Sequence, residues 1–125
     1  MKTKSYKDLI VWQKAIRLVL LVYKLTRQFL SSELYGLTLQ TKKAVVAIPS
    51  NIAEGYARQH GPEYIKFLSV AYASAAELET QLIIAEQLGY GRESFYKVIF
   101  LLLEEVSKKL NQMMRRLRHK VFPRR

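Results

Sequence analysis

One nine-residue stretch limits what this chain can fold into. Ile48-Pro49-Ser50-Asn51-Ile52-Ala53-Glu54-Gly55-Tyr56 carries a proline, an amide, a carboxylate and a glycine through the interior of an otherwise helical pattern. Proline deletes a backbone donor and crowds the preceding turn, asparagine competes for local backbone bonds, and glycine weakens a helix interior. Yet the apolar positions Leu37, Ala44, Val45, Ile48, Ile52 and Tyr56 stay in phase across Pro49. The pattern therefore predicts one kinked helix over about 34–57, with something nearby compensating for each broken local rule.

Three further segments have the same three-to-four spacing. Over about 8–29 one stripe runs Trp12, Ile16, Val19, Tyr23, Thr26 and Phe29, and a second runs Val11, Leu18, Val22 and Leu25, expected to point away from the first. A helix apolar on two faces either sits deep in its own domain or meets another subunit. The third segment, about 62–88, opens after the break Gln59-His60-Gly61-Pro62 and buries Leu68, Ala71, Ala75, Leu78, Leu82 and Ala85 before Gly89-Tyr90-Gly91 closes it. The fourth, about 93–118, has Phe95, Ile99, Leu102, Val106, Leu110, Met113 and Leu117 on one seam, with Phe100, Leu101 and Leu103 off it. Residues 119–125 form a basic, aperiodic tail. Four long helices joined by short connections make an all-α, antiparallel up-down-up-down four-helix bundle, and 125 residues leave room for one such domain.

The chain has no cysteine, which excludes disulfides, thiolate metal sites and cysteine catalysis and suits a reducing cytoplasm. Its apolar runs are far shorter than the ~20 residues of a membrane span. The basic N-terminal residues lead into a charged helix and not into a signal-peptide core. Cytoplasmic location is the expectation.

Net charge is +11, split as +6 over residues 1–32, −3 over 33–107 and +8 over 108–125. Bundle topology gathers the start of the first helix, the second-to-third connection and the end of the fourth helix at one end. Lys2, Lys4, Lys7, Arg58, Arg115, Arg116, Arg118, Lys120, Arg124 and Arg125 are expected to converge there as a polyanion-facing surface. Such contacts would be largely indifferent to sequence and sensitive to salt.

Catalysis finds little footing. A carboxylate-bridged metal site in a bundle needs Glu-x-x-His pairs, but Ala57 precedes His60 and Arg116 precedes His119 at that spacing. Asp8 is the only aspartate, and no nucleophile motif or glycine-rich phosphate loop occurs. No enzyme activity, metal or cofactor is expected. Antiparallel register places Trp12 near Asn51, Glu54 near Lys66 and Glu77 near Lys43. Because a buried indole N–H and a buried amide both need partners, Trp12, Asn51 and Glu54 are expected to form a polar network that fixes register. Of the tyrosines, Tyr6 lies closest to the basic end and is the candidate for base stacking; the others are expected to pack at interfaces.

Several spaced motifs between Leu9 and about Leu117 resemble a known family. They are Val11-Trp12-Gln13-Lys14-Ala15, Tyr23-Lys24-Leu25-Thr26, Glu33-Leu34-Tyr35-Gly36-Leu37, the Ile48 to Gly55 stretch, Phe67-Leu68, Ser74 to Leu82 and Leu88-Gly89-Tyr90. The chain is similar to the small four-helix proteins encoded by intervening sequences within bacterial 23S ribosomal RNA genes. That family is in turn similar to the accessory proteins of diversity-generating retroelements, basic pentamers of four-helix protomers associated with nucleic acid. The resemblance implies a homopentamer. Lys42-Lys43 stands where the family commonly has an arginine pair, so a phosphate contact there would lack the bidentate fork. The arginine-rich tail lies outside the matched region. The expected function is therefore non-enzymatic, electrostatic binding of RNA or DNA by an oligomer; the alternative is a scaffold whose basic surface recruits an acidic protein.

Overall fold

The computed structural model describes residues 4–123. Four α-helices, α1 (Ile10–Thr26), α2 (Leu37–Arg58), α3 (Gly61–Gln87) and α4 (Glu93–Val121), are accompanied by 3-10 turns at Tyr6–Asp8 and Ser31–Glu33. No strand occurs among the described residues. Each helix packs closely on two others, α1 and α3 both lying against α2 and α4, so among the described residues the helices stand around a square. Lys14 pairs with Glu105 toward one end of α1, while the Arg92 backbone N–H donates to the Gln28 side chain at the other, 2.6 Å away. The pair is therefore antiparallel, and the molecule is an all-α, up-down-up-down four-helix bundle.

The core follows from the spacing. Leu18, Val22 and Leu25 of α1, Val45, Ile48 and Ile52 of α2, Leu68, Leu78 and Leu82 of α3, and Ile99, Leu103, Val106 and Leu110 of α4 are fully buried. Burying one such side chain contributes roughly 1.5–3 kcal/mol, so these residues dominate fold stability. The α1 stripes need correcting: the buried row is Val11, Ala15, Leu18, Val22 and Leu25, with Trp12, Val19 and Tyr23 partly buried beside it. Neighbouring helix positions differ by only about 100°, so the two stripes are flanks of one broad face. Ile10 and Leu20 are the large apolar side chains of α1 that remain exposed.

Helix α2 runs unbroken through a buried Pro49. The proline removes the donor that would reach the Val45 carbonyl; two residues on, the Asn51 side-chain amide donates to the Ala47 carbonyl, 2.7 Å away, adding a donor in that weakened turn. Gly55 has a packing reason. A Cβ there would lie 2.8 Å from the Phe67 Cβ and 3.0 Å from the Tyr64 ring, so its absence allows α2 and α3 to approach closely.

Three boundaries differ from the sequence expectation by three residues. Helix α1 stops at Thr26, not near 29. Helix α2 starts at Leu37, not 34, because Ser31–Glu33 closes a 3-10 turn first and Glu33 then accepts the Leu37 N–H at 3.1 Å. Helix α4 continues to Val121 because that side chain is bedded on Gly61, where a Cβ would collide with it.

Candidate functional site

The α2–α3 turn is built from Arg58, Gln59, His60 and Gly61. Gln59 ends α2 in the left-handed conformation, with φ 53° and ψ 34°, a role glycine fills more cheaply. Pro62 then falls in the first turn of α3, where its missing N–H costs nothing. Topology sets the beginning of α1 and the end of α4 beside this turn.

Arg115, Arg116, Arg118 and Lys120 are all exposed on the last turns of α4, and their side chains have no ion-pair or hydrogen-bond partner among the described residues. Helical spacing splits them. Arg115 and Arg118, three apart, line a shallow depression of about 420 Å³ with Ile65 and Phe122. Arg116 and Lys120, four apart, occupy a second row, and Lys120 reaches a deeper cleft over the α2–α3 turn. Lys4 and Lys7 are exposed just before α1. The Lys4 backbone N–H donates to Asp8 at 3.1 Å, and the Lys7 amine sits 6.0 Å from the Tyr6 ring centre. Arg58 is at the expected end but engaged: it donates to Glu54 at 3.1 Å and lies 5.2 Å over the Phe67 ring. Lys2, Arg124 and Arg125 fall outside the described residues.

The expected network of Trp12, Asn51 and Glu54 does not form as direct hydrogen bonds. Asn51 turns to Ala47, Glu54 takes Arg58, and Trp12 packs edge-on against Tyr6, ring centres 5.3 Å apart. An ion pair one turn apart needs less ordering than one across helices, so Arg58 displaces the expected Lys66. Glu77 likewise accepts from Gln81 on its own helix, at 3.4 Å, where Lys43 was expected.

Two groups go beyond the sequence expectation. The first is Tyr56 and Tyr64, expected only to pack at interfaces, which meet edge to face with centres 6.1 Å apart and line the cleft that Lys120 opens onto. Burial, then the neighbouring Tyr56, pushes the Tyr64 hydroxyl up to about 12. The signal was available, since the two tyrosines are equidistant from residue 60 in an antiparallel pair. The second is the α1–α4 seam, where Lys14 holds the Glu105 carboxyl below its ordinary range by hydrogen bond and charge, with Lys109 and Arg17 adding to the pull. Among the described residues no three His, Asp or Glu side chains are grouped to hold a metal ion, and no helix is long and apolar enough to cross a membrane.

This bundle, with its motif-bearing helices in order, matches the model of the 23S rRNA-intervening sequence protein family over residues 7–112. The chain belongs to that family. Among curated proteins, none matches it. The 23S rRNA-intervening sequence protein match ends inside α4, so Arg115, Arg116, Arg118 and Lys120 lie beyond it. The family description names a gene context and no activity.

Proposed function

We propose that the protein is a non-enzymatic, cytoplasmic oligomer that binds RNA or DNA electrostatically through the end of the bundle where α4 finishes. The observation carrying this reading is the set of four exposed cations, Arg115, Arg116, Arg118 and Lys120, left without partners on two sides of one helix end. Net charge of +11 supplies the long-range attraction that brings a polyanion to them. Self-association draws support from apolar side chains left in solvent. Leu101 and Val98 of α4 and Ile83 of α3 are exposed, and Ile83, Phe100 and Leu101 share a groove rimmed by Glu79, Glu86 and Glu104. A pentamer is the assembly we propose, as the sequence resemblance to retroelement accessory proteins would imply.

Gel shifts with RNA and with duplex DNA at two salt concentrations test the binding. Changing all four cations to Gln should weaken binding and lower the salt dependence by about one counterion per lost phosphate contact. Removing residues 115–125 should do at least as much. Binding indifferent to salt and to both changes would refute the reading, and capture of an acidic protein without any nucleic acid shift would favour the scaffold alternative. Light scattering after size exclusion tests assembly: a monomer at micromolar concentration would remove the oligomer from the proposal.

A further inference from the structure

The cleft over the α2–α3 turn has more chemistry than a charged surface needs. Its volume is about 530 Å³, in the range of small-ligand sites. The rings of Tyr56 and Tyr64 and the side chains of Leu117 and Val121 give it an apolar wall. Gln59, His60 and Lys120 give it a polar rim, and none of the described lining residues is acidic. The tyrosine rings stand at 89° to each other, and both contribute surface to the cleft. Aromatic surface of this kind is what an unstacked base stacks on. The Tyr64 hydroxyl, pushed up to about 12, carries no charge to repel a phosphate at neutral pH.

Gln59 adds an independent argument. It holds φ 53° where glycine would sit without strain, so the chain retains a side chain at the rim at a conformational cost. An amide there offers a donor and an acceptor together, the pattern that reads a base edge. The geometry points to a base-binding site: the cleft receives one unstacked base of a single-stranded nucleic acid, with Gln59 at the base edge and Lys120 on the adjoining phosphate. This rests on the nucleic-acid reading above and adds a preference for unpaired strands.

The test is fluorescence anisotropy of the full chain with labelled strands of about 12 nucleotides, within the span one such surface covers. Single-stranded RNA and DNA are compared with the duplex and with strands carrying abasic positions, all at one salt concentration. Tyr64→Leu should weaken single-strand binding roughly fivefold or more, Tyr64→Phe should retain it, and neither should change duplex binding. Gln59→Gly should raise the thermal midpoint yet weaken single-strand binding, a combination that misfolding cannot produce. Abasic strands should reproduce the loss on the unaltered protein. If Gln59→Gly, Tyr64→Leu and abasic strands all leave single-strand affinity unchanged while duplex still binds, the base site is overturned and the electrostatic reading stands. If neither strand binds at low salt, both fall.

Discussion

The two ends of the bundle are fastened in different ways. Where the α1–α2 and α3–α4 connections meet, polar side chains bridge one loop to the other. The Tyr90 hydroxyl donates to Glu33 at 2.9 Å, the Tyr96 hydroxyl to the Tyr90 carbonyl at 2.7 Å, and Gln28 accepts from the Arg92 backbone. Phe29 and Tyr90 pack with ring centres 5.5 Å apart over these bonds. At the opposite end the fastenings among the described residues are mostly apolar or local: Val121 on Gly61, Tyr56 on Tyr64, and Arg58 with Glu54 on its own helix, although the Arg58 guanidinium also crosses to the Phe67 ring of α3. Polar groups thus join elements at the first end, while at the second the cations of α4 remain available for contact. The lesson is that cohesion and display are separated along the long axis of the bundle.

A matched pair of glycine substitutions puts the largest strain on that comparison. Gly91 has φ +73°, and a Cβ there would lie 2.7 Å from the Leu25 side chain, which is fully buried. Gly91→Ala should cost roughly 2–3 kcal/mol, combining left-handed strain with core crowding, as read by urea unfolding. Gly61→Ala also meets a side chain, but the half-buried Val121 on the last turn of α4 can move aside. Its cost should stay below ~1 kcal/mol, within the range of sites away from the core. Equal costs at the two glycines would break the contrast.

Next in size, Tyr96→Phe removes a single hydrogen bond from a buried ring and should cost about 1 kcal/mol. At the other end Gln59→Gly should stabilise by about 0.5–1 kcal/mol by relieving the left-handed residue. A destabilising Gln59→Gly would mean that its side chain ties the turn together, and the open end would be less open than described.

The smallest effects are those of pH. A hydrogen bond that the protonated Glu86 carboxyl donates to Glu93, then burial and the Glu93 charge, raises Glu86 above its ordinary value beside the α3–α4 turn. Its ionisation therefore weighs against folding at neutral pH, and that penalty disappears as pH falls below the carboxylate range. Glu86→Gln should raise the neutral-pH thermal midpoint slightly and make no difference in acid. Glu105 runs the other way. Held low by Lys14, it favours the fold above the ordinary carboxylate range, and the benefit is lost as pH falls through its depressed value. Glu105→Gln should lower the neutral-pH midpoint slightly, and more at low salt than at high. Midpoints that move with the opposite signs would overturn both assignments.

Much of the architecture was legible because long-range order in a bundle follows from repeated short-range spacing. The four helices, the passage of α2 through Pro49 and the antiparallel pairing about residue 60 all come from periodicity and turn residues. Side-chain partners were not legible in the same way. Trp12 is met by Tyr6 from a 3-10 turn that has no periodic signature, and Asn51 and Glu54 find partners one turn away before any neighbouring helix can compete. Glu33 stood out in the sequence as part of the Glu33-Leu34-Tyr35-Gly36-Leu37 motif. Its second oxygen, taken by Tyr90 from the far turn, belongs to tertiary structure alone. At the basic end, sequence located the cations, while the cleft beneath them depends on how closely α2 and α3 approach.

That approach is set at Gly55. Phe67 and Tyr64 fill the notch left by its missing side chain. Sliding α2 along α3 by one residue would drive Glu54 or Tyr56 into the same notch, where neither fits. The glycine therefore works as a key in a slot: it locks the axial position of the two helices, and with it the spacing of every group carried on the turn that joins them.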